Sequence, residues 1–486
     1  MLPDFFPLFY RSENIGKIVM NNKSDYRMKG LTVMSQLTIA IIGASFAGIS
    51  SALTLKRLNP SAKVILIDRE DQLGFIPSSI NMVLKGRIKQ INDKMMVNKE
   101  SLVVNGIELL LGHEVVDIDT ENRQLAVHYQ EKTETIHFNK LILAMGARQT
   151  SERIIGANHP RVLTTKSWAA SLDSQAKLEE SKHILIVGGG QVGLEAADAY
   201  HSAGKKLTIV EAFESLAFKY YDPEMVEELE KRIINRGITI YKNQQVEAIK
   251  EEKGSLITFT TQQQALLSDH VVLAINFRPN SQLIEEKLET HLDRTIVVDD
   301  YLQTSADHIY AVGDLIRVPY AGTNRDYYLP FVNNAIMTGR LAAMNALGMN
   351  EKMTDVVRIV GSQLFGLFMA SVGLTEEEAK LYHNIRTTIY QQADTNQVPV
   401  TIKLIVKKES GQLLGAQLYS ETDILPLADT IAIAIKAAMT DRDLAFQDCL
   451  YYSMVSVINP VLYAAAFSCY EKRVKEVNED AARGSI

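Results

Sequence analysis

The chain carries the same short arrangement twice: an apolar strand, a glycine-rich turn, and a run of small residues that begins a helix. The first copy is Leu37-Thr38-Ile39-Ala40-Ile41-Ile42-Gly43-Ala44-Ser45-Phe46-Ala47-Gly48. The second is Ile184-Leu185-Ile186-Val187-Gly188-Gly189-Gly190-Gln191-Val192-Gly193. In each copy the leading glycine permits the tight turn and the middle position lets the backbone approach a pyrophosphate. The last glycine lets helix and strand pack closely. A diphosphate then rests on free N–H groups at the positive end of the helix dipole. Each copy is followed by a second strand ending in an acid, Asp68 in one and Glu211 in the other. A carboxylate there accepts hydrogen bonds from ribose hydroxyls. Glu211 also repels a 2′-phosphate, and no arginine follows it closely, so NADH is expected over NADPH. Two dinucleotide sites in one chain point to electrons passing between two nucleotides.

With 486 residues the chain has room for about three domains. A net charge of −7 leaves no basic footprint for nucleic acid. The two cysteines, Cys449 and Cys469, are too few for a disulfide framework or a CxxC centre, which suits a reducing cytosol. The ten histidines have no metal-binding spacing, so no metal site is expected. Residues 1–35 lack a sustained apolar core and are expected to be a disordered arm or a translation artefact ahead of the fold. From Cys449 to Cys469 there is no charged residue. That stretch is long enough to span a bilayer, but Asn459-Pro460 breaks it, which favours a buried loop and helix or a subunit interface over a membrane contact.

Along the chain, Asp68 is followed by a loop, Arg69–Ser79, and a polar helical stretch. Leu109–Asp119 alternates like one strand, Leu125–His137 like a hairpin, and Lys140–Ala144 is a buried strand ending at Gly146. The second unit continues through a helix over Pro223–Arg236 and strands near Ile238–Tyr241 and Leu256–Thr261. Val271–Ile275 is expected to return the chain to the first domain, and Ile309–Val312 is another apolar strand, ending in Gly313-Asp314. From residue 353 onward, strand patterns (Ile385–Tyr390, Val398–Val406, Leu413–Leu418) alternate with helical ones (Thr375–Leu381, Ile424–Ala438), as in an α+β unit.

Several segments together carry a resemblance. Ala144-Met145-Gly146, Phe277-Arg278-Pro279-Asn280 after an apolar strand, Tyr310-Ala311-Val312-Gly313-Asp314, Leu329-Pro330-Phe331-Val332-Asn333-Asn334-Ala335 and Gly339-Arg340 all match one pattern. With the two glycine turns, they make the chain resemble the FAD-dependent pyridine nucleotide–disulfide oxidoreductases, in the branch of NADH oxidase, NADH peroxidase and coenzyme A-disulfide reductase. Asn276 stands where that family has a glycine. The resemblance implies an α/β fold with two Rossmann-like dinucleotide-binding domains and a C-terminal α+β dimerisation domain. The expected division is FAD-binding over 36–150 and 268–352, NAD-binding over 151–267, and interface over 353–486. It implies that FAD is held by Gly43, Ser45, Phe46, Ala47, Gly48, Asp68, Arg69, Val115, Ala144, Met145, Gly146, Gly313, Asp314, Pro330, Asn334 and Ala335. NADH is expected on Gly188, Gly190, Gln191, Val192, Gly193 and Glu211, in a cytoplasmic homodimer.

The chemistry departs from the family. Its redox-active cysteine follows a Phe-Leu segment, and here that place reads Phe75-Ile76-Pro77-Ser78-Ser79, with Ser78 at the cysteine position. A hydroxyl cannot cycle through sulfenate or disulfide, because that chemistry needs a thiolate. The family's histidine inside the first glycine turn is replaced by Phe46. The expected activity is therefore hydride transfer from NADH to FAD, followed by direct reduction of an acceptor: oxygen to hydrogen peroxide, a quinone, or a free flavin. The alternatives are a weakly catalytic NADH- and FAD-binding sensor, and a membrane-associated NADH:quinone reductase.

Overall fold

A computed structural model describes residues 37–275, 277–450 and 460–483. The N-terminal extension, Asn276 and residues 451–459 of the uncharged stretch lie outside the described residues.

The first sheet orders its strands Ile309–Ala311, Lys140–Leu143, Thr38–Ile42, Lys63–Asp68, Ile107–Leu111, all parallel. The second orders Thr239–Tyr241, Lys206–Val210, His183–Val187, His270–Leu273, Val162–Leu163, again all parallel. The central strands are buried on both faces; Ile39, Ala40 and Ile41 are inaccessible, as are Ile184, Leu185 and Ile186. A strand covered on both sides reads as an unbroken apolar run rather than an alternation, and these do. In each sheet the glycine-turn strand lies centrally, so its turn opens at the carboxyl edge beside the point where strand order reverses. Open α/β sheets bind ligands at that crevice.

The small residues after Gly43 have a packing role as well. The helix Phe46–Leu58 buries Ala47, Gly48, Ser50, Ser51 and Ala52 against the helix Val332–Ala346. A Cβ on Gly339 would lie 2.4 Å from the Ala47 carbonyl oxygen. The Ser51 hydroxyl instead donates to the Gly339 carbonyl at 2.9 Å. Larger side chains would force these helices apart.

The C-terminal unit is an antiparallel sheet, Ile359–Leu364, Leu367–Gly373, Leu413–Ser420, Pro399–Lys407, Ile385–Ala393. The helices Leu425–Lys436 and Val461–Arg483 pack on it. Lys403, on its fourth strand and 1% exposed, puts its ammonium 2.8 Å from Asp222 and 2.6 Å from Glu376, and also pairs with Glu224. Histidine spacing gives no hint of this carboxylate cluster. Its cation is the lysine itself, and it ties the helix Pro223–Asn235 to the C-terminal sheet. Among the described residues no helix is long and apolar enough to cross a membrane.

Two strand expectations need correction. Leu109–Asp119 is two strands, Ile107–Leu111 and Glu114–Asp119, in different sheets. Between them Gly112 takes φ 70° and turns the chain. The segment Val271–Ile275 does not return the chain to the first unit. Its strand, His270–Leu273, pairs in parallel with His183–Val187 inside the second sheet. The return comes after it, where Phe277–Pro279 pairs antiparallel with Ala147–Gln149. An apolar run buried on both faces suits either sheet, so sequence alone did not distinguish them.

Candidate active site

Four adjacent parallel strands deliver the first site. Gly43 follows Thr38–Ile42, Asp68 ends its neighbour, Ala144-Met145-Gly146 follow Lys140–Leu143, and Gly313-Asp314 lie just beyond Ile309–Ala311. Gly43 has φ 109°, and a Cβ there would sit 2.2 Å from the Ala144 carbonyl oxygen. A Cβ on Gly48 would sit 1.8 Å from the Gly43 carbonyl oxygen. The turn therefore admits no side chain at either position. Asp68 clamps the turn by accepting from the Ala44 N–H at 2.6 Å and the Glu70 N–H at 2.9 Å. Burial pushes its carboxyl above the usual carboxylate range, against the pull of those two N–H donors.

A cavity of about 420 Å³ opens over this edge. Of the residues expected at FAD, it is lined by Gly43, Ser45, Phe46, Ala47, Asp68, Arg69, Ala144, Met145, Gly146, Gly313, Asp314, Pro330 and Ala335. The helices Phe46–Leu58 and Val332–Ala346 both begin here, and neither has an acid in its first turn. Their N-terminal partial positive charge is thus left for an anionic ligand. These features fit a flavin dinucleotide: glycines that clear its diphosphate, Asp68 for a ribose, and Asp314 for the ribityl hydroxyls.

Other expected residues lie elsewhere. Gly48 packs beneath the turn. Asn334 is buried and donates to the Leu329 carbonyl at 2.9 Å, so it braces the wall rather than lining it. Val115 sits on Glu114–Asp119, packed against the core and away from the cavity lining. Ser78 is exposed at the start of the short helix Ser79–Leu84, while Pro77 and Phe75 before it do line the cavity.

The cavity also has walls that the motifs did not reveal. Lys166 reaches from the loop before the helix Trp168–Glu180 and pairs with Asp314 at 3.4 Å. Trp168, the single tryptophan of the chain, meets Phe75 edge-on with ring centroids 5.7 Å apart. Arg148, Gln149 and Asn280 add the crossover strands, and the Asn280 amide donates to the Met145 carbonyl at 2.8 Å. Only Asn280 stood in a quoted segment; Lys166 and Trp168 had no signal in sequence.

The second site repeats the local geometry of the first. Gly188 has φ 105°, and a Cβ on Gly193 would lie 1.9 Å from the Gly188 carbonyl oxygen. Gly190 has nothing within 4 Å of its Cβ position, which leaves a face open for a diphosphate at the start of Gln191–Ser202. Val192 and Gln191 stand in the first turn of that helix, and the Gln191 amide donates to Glu195 at 2.7 Å. Glu211 is buried and accepts from the Gly189 N–H at 2.6 Å and the Phe213 N–H at 2.9 Å. Beside it Phe213 and Phe218 stack 3.7 Å apart. Neither cysteine lines the first cavity. Cys449 is exposed, and Cys469 is buried, which raises its thiol pKa.

Comparison with known proteins agrees with this geometry. The sequence profile of the pyridine nucleotide-disulphide oxidoreductases matches residues 37–339, and that of their dimerisation domain matches residues 362–458. An NADH oxidase of Enterococcus faecalis is 28% identical over 421 residues, covering 85% of this chain and 94% of the relative. One from Mycoplasma pneumoniae is 27% identical, covering 90% and 99%. A crystal structure of a family oxidoreductase from E. faecalis superposes with TM-score 0.82 at 31% identity, covering 90% of this chain and all (100%) of that one. The water-forming NADH oxidase of Lactobacillus brevis, bound to NADH, gives 0.87 at 25% identity, covering 91% and 100%. With two dinucleotide cradles and matches over both parts of the chain, this protein belongs to the pyridine nucleotide-disulphide oxidoreductase family, as an NADH-dependent oxidoreductase with FAD as its cofactor.

Proposed function

We propose that the chain oxidises NADH and hands two electrons directly to a small-molecule acceptor, oxygen or a quinone-like ring, with no cysteine relay. The observation carrying this reading is the wall where a thiol would stand. Phe75 and Pro77 line the cavity there, Trp168 packs against Phe75, and Ser78 is exposed. FAD, when bound, supplies a two-electron acceptor for hydride. The chain's own groups bind and orient. Gly43 and Gly313 clear the backbone, Asp68 and Asp314 accept hydroxyl hydrogens, and the start of Val332–Ala346 offers fixed positive partial charge. Phe46, Phe75, Pro77 and Trp168 exclude water and offer flat apolar surface to an aromatic acceptor. In the same reading, residues 36–150 and 268–352 form the FAD unit, except that the strand His270–Leu273 belongs to the sheet of the NAD unit that otherwise spans 151–267. Residues 353–486 pair two copies into a homodimer. Gly188, Gly190, Gln191, Val192, Gly193 and Glu211 seat NADH.

The L. brevis relative is a water-forming oxidase. Reduction to water requires a further step on peroxide, and a thiolate can take that step through a sulfenate where a serine cannot. Oxygen consumption by this chain should therefore release hydrogen peroxide in near-equal amount to the NADH consumed, measured in air with catalase as control. Four-electron reduction to water by the unmodified protein overturns the proposal.

A further inference from the structure

A second cavity, of about 280 Å³, lies where the chain crosses between its two dinucleotide units. It is lined by Arg148, Thr150, Glu152, Arg153, Arg278, Pro279 and Arg294. Four guanidinium groups thus face one carboxylate. Arg148 and Arg278 are directly opposed on the antiparallel pair Ala147–Gln149 and Phe277–Pro279. Like charges directly opposite across a strand pair are destabilising. Compensation within the chain is thin. Arg148 is 4.0 Å from Glu152, whose side chain is 82% exposed, and Arg294 is 3.8 Å from Glu285. Arg153 and Arg278 have no ion-pair partner among the described residues, and one guanidinium nitrogen of Arg148, Nη1, is buried without a hydrogen-bond partner. Arg294 holds φ 68°, in the left-handed region that arginine seldom occupies. Backbone strain of this kind persists where the surroundings over-determine it, often at ligand clamps.

Opposed arginines, an orphaned buried Nη1 and a strained arginine on one cavity share a simple resolution, a multivalent oxyanion. Guanidinium forks match phosphate oxygens two at a time, and each such bond is charge-assisted. We infer that this cavity, which shares only Arg148 with the flavin cavity, is a binding site for a di- or polyphosphate anion that staples the two crossover strands. The glycine turns have their own helix N-termini for cofactor diphosphates, and Arg153, Arg278 and Arg294 line neither of them. The inference does not depend on which acceptor the flavin reduces.

The test uses the FAD-loaded protein and titrates it calorimetrically with sodium pyrophosphate and, separately, with ADP, at low and at physiological salt. Saturable binding is expected, weakening as salt rises. Arg294→Asn suits the left-handed backbone, and Arg153→Gln is a surface change. Each should weaken pyrophosphate binding about tenfold or more, the loss of one charged hydrogen-bonding partner. Flavin content and the KM for NADH should stay unchanged. Pyrophosphate binding as well as ADP marks a site for the phosphates alone, and ADP binding far more tightly marks a nucleotide effector; both support the site. It is overturned if neither anion binds saturably, if NAD+ displaces the bound anion, or if both variants bind it as the parent does.

Discussion

The two glycine turns share their φ values and close contacts and differ in what surrounds them. Gly43 and Gly188 have φ 109° and 105°, and the third glycines would clash by 1.8 and 1.9 Å contacts. Asp68 and Glu211 each clamp the turn through two backbone N–H donors. Yet the first turn is closed over by Ala144–Gly146, Gly313-Asp314, and the start of Val332–Ala346, with Lys166 and Trp168 reaching in from the far side. The second is backed by Ala274 and Ile275 and is otherwise open at Gly190. A walled cradle suits a cofactor that stays, and an open one suits a nucleotide that exchanges each turnover. The motif sets how a diphosphate is held, and the surroundings set for how long.

The strongest way to break this comparison is to fill the turns. A Cβ on Gly43 meets the Ala144 carbonyl oxygen at 2.2 Å, whereas one on Gly188 meets the Ile275 Cγ2 methyl at 2.6 Å and the Ala274 carbonyl oxygen at 2.9 Å. Both turns resist a side chain, and the backbone overlap is the deeper at Gly43. Gly43→Ala should cost about 3 kcal/mol or more and yield colourless or unfolded protein. Gly188→Ala should cost less and stay yellow while losing NADH turnover. Flavin absorbance per chain and thermal melting give the readout, and equal losses would dissolve the distinction.

Next in size is Asp314→Ala. Removing a half-buried acceptor costs about 1–3 kcal/mol, so FAD retention should fall roughly tenfold to a hundredfold, with Lys166 left unpaired. Unchanged flavin content after dialysis would count against Asp314 as a ribityl ligand. Its counterpart, Glu211→Ala, should leave FAD in place, raise the KM for NADH and narrow the preference over NADPH, by a similar or smaller factor because the second cradle has less wall to lose. A preference left intact would remove Glu211 as the discriminator.

A smaller effect comes from pH. Burial raises the Asp68 carboxyl above its ordinary 3.8, so protonation begins at a higher pH than for an exposed aspartate. The ionised form is the one that accepts the Ala44 and Glu70 N–H groups and, in the proposed seating of FAD, a ribose hydroxyl, so FAD retention should decline as pH falls toward that raised value and be complete above it. Flavin release by ultrafiltration across mildly acidic pH checks it; Asp68→Asn should flatten the profile. The smallest effect is expected from Ser78→Cys. A thiol added at an exposed position, with Phe46 still in the turn, should leave NADH oxidation and peroxide yield almost unchanged.

Much of this molecule is legible in its sequence because the information is local. Strand, turn and small-residue helix are fixed by φ values only glycine accepts and by contacts within a few residues of Gly43 and Gly188. The acids at the ends of the next strands follow the same short-range logic. The chemical departure proposed for Ser78 and Phe46 is likewise a matter of side-chain identity. What sequence could not decide are the contacts that join distant segments. The strand His270–Leu273 carries the same apolar run as the strands of either sheet, and only pairing with His183–Val187 assigns it. Lys166 meets Asp314, 148 positions away. Arg148 faces Arg278, and Lys403 meets Asp222, because separate crossovers and sheets bring them together. The residues set the shape of each cradle; the long-range packing set which cradle is closed and where unbalanced charge collects. Periodicity and turn chemistry act over a few residues, and nothing in them records which remote surface a side chain will meet.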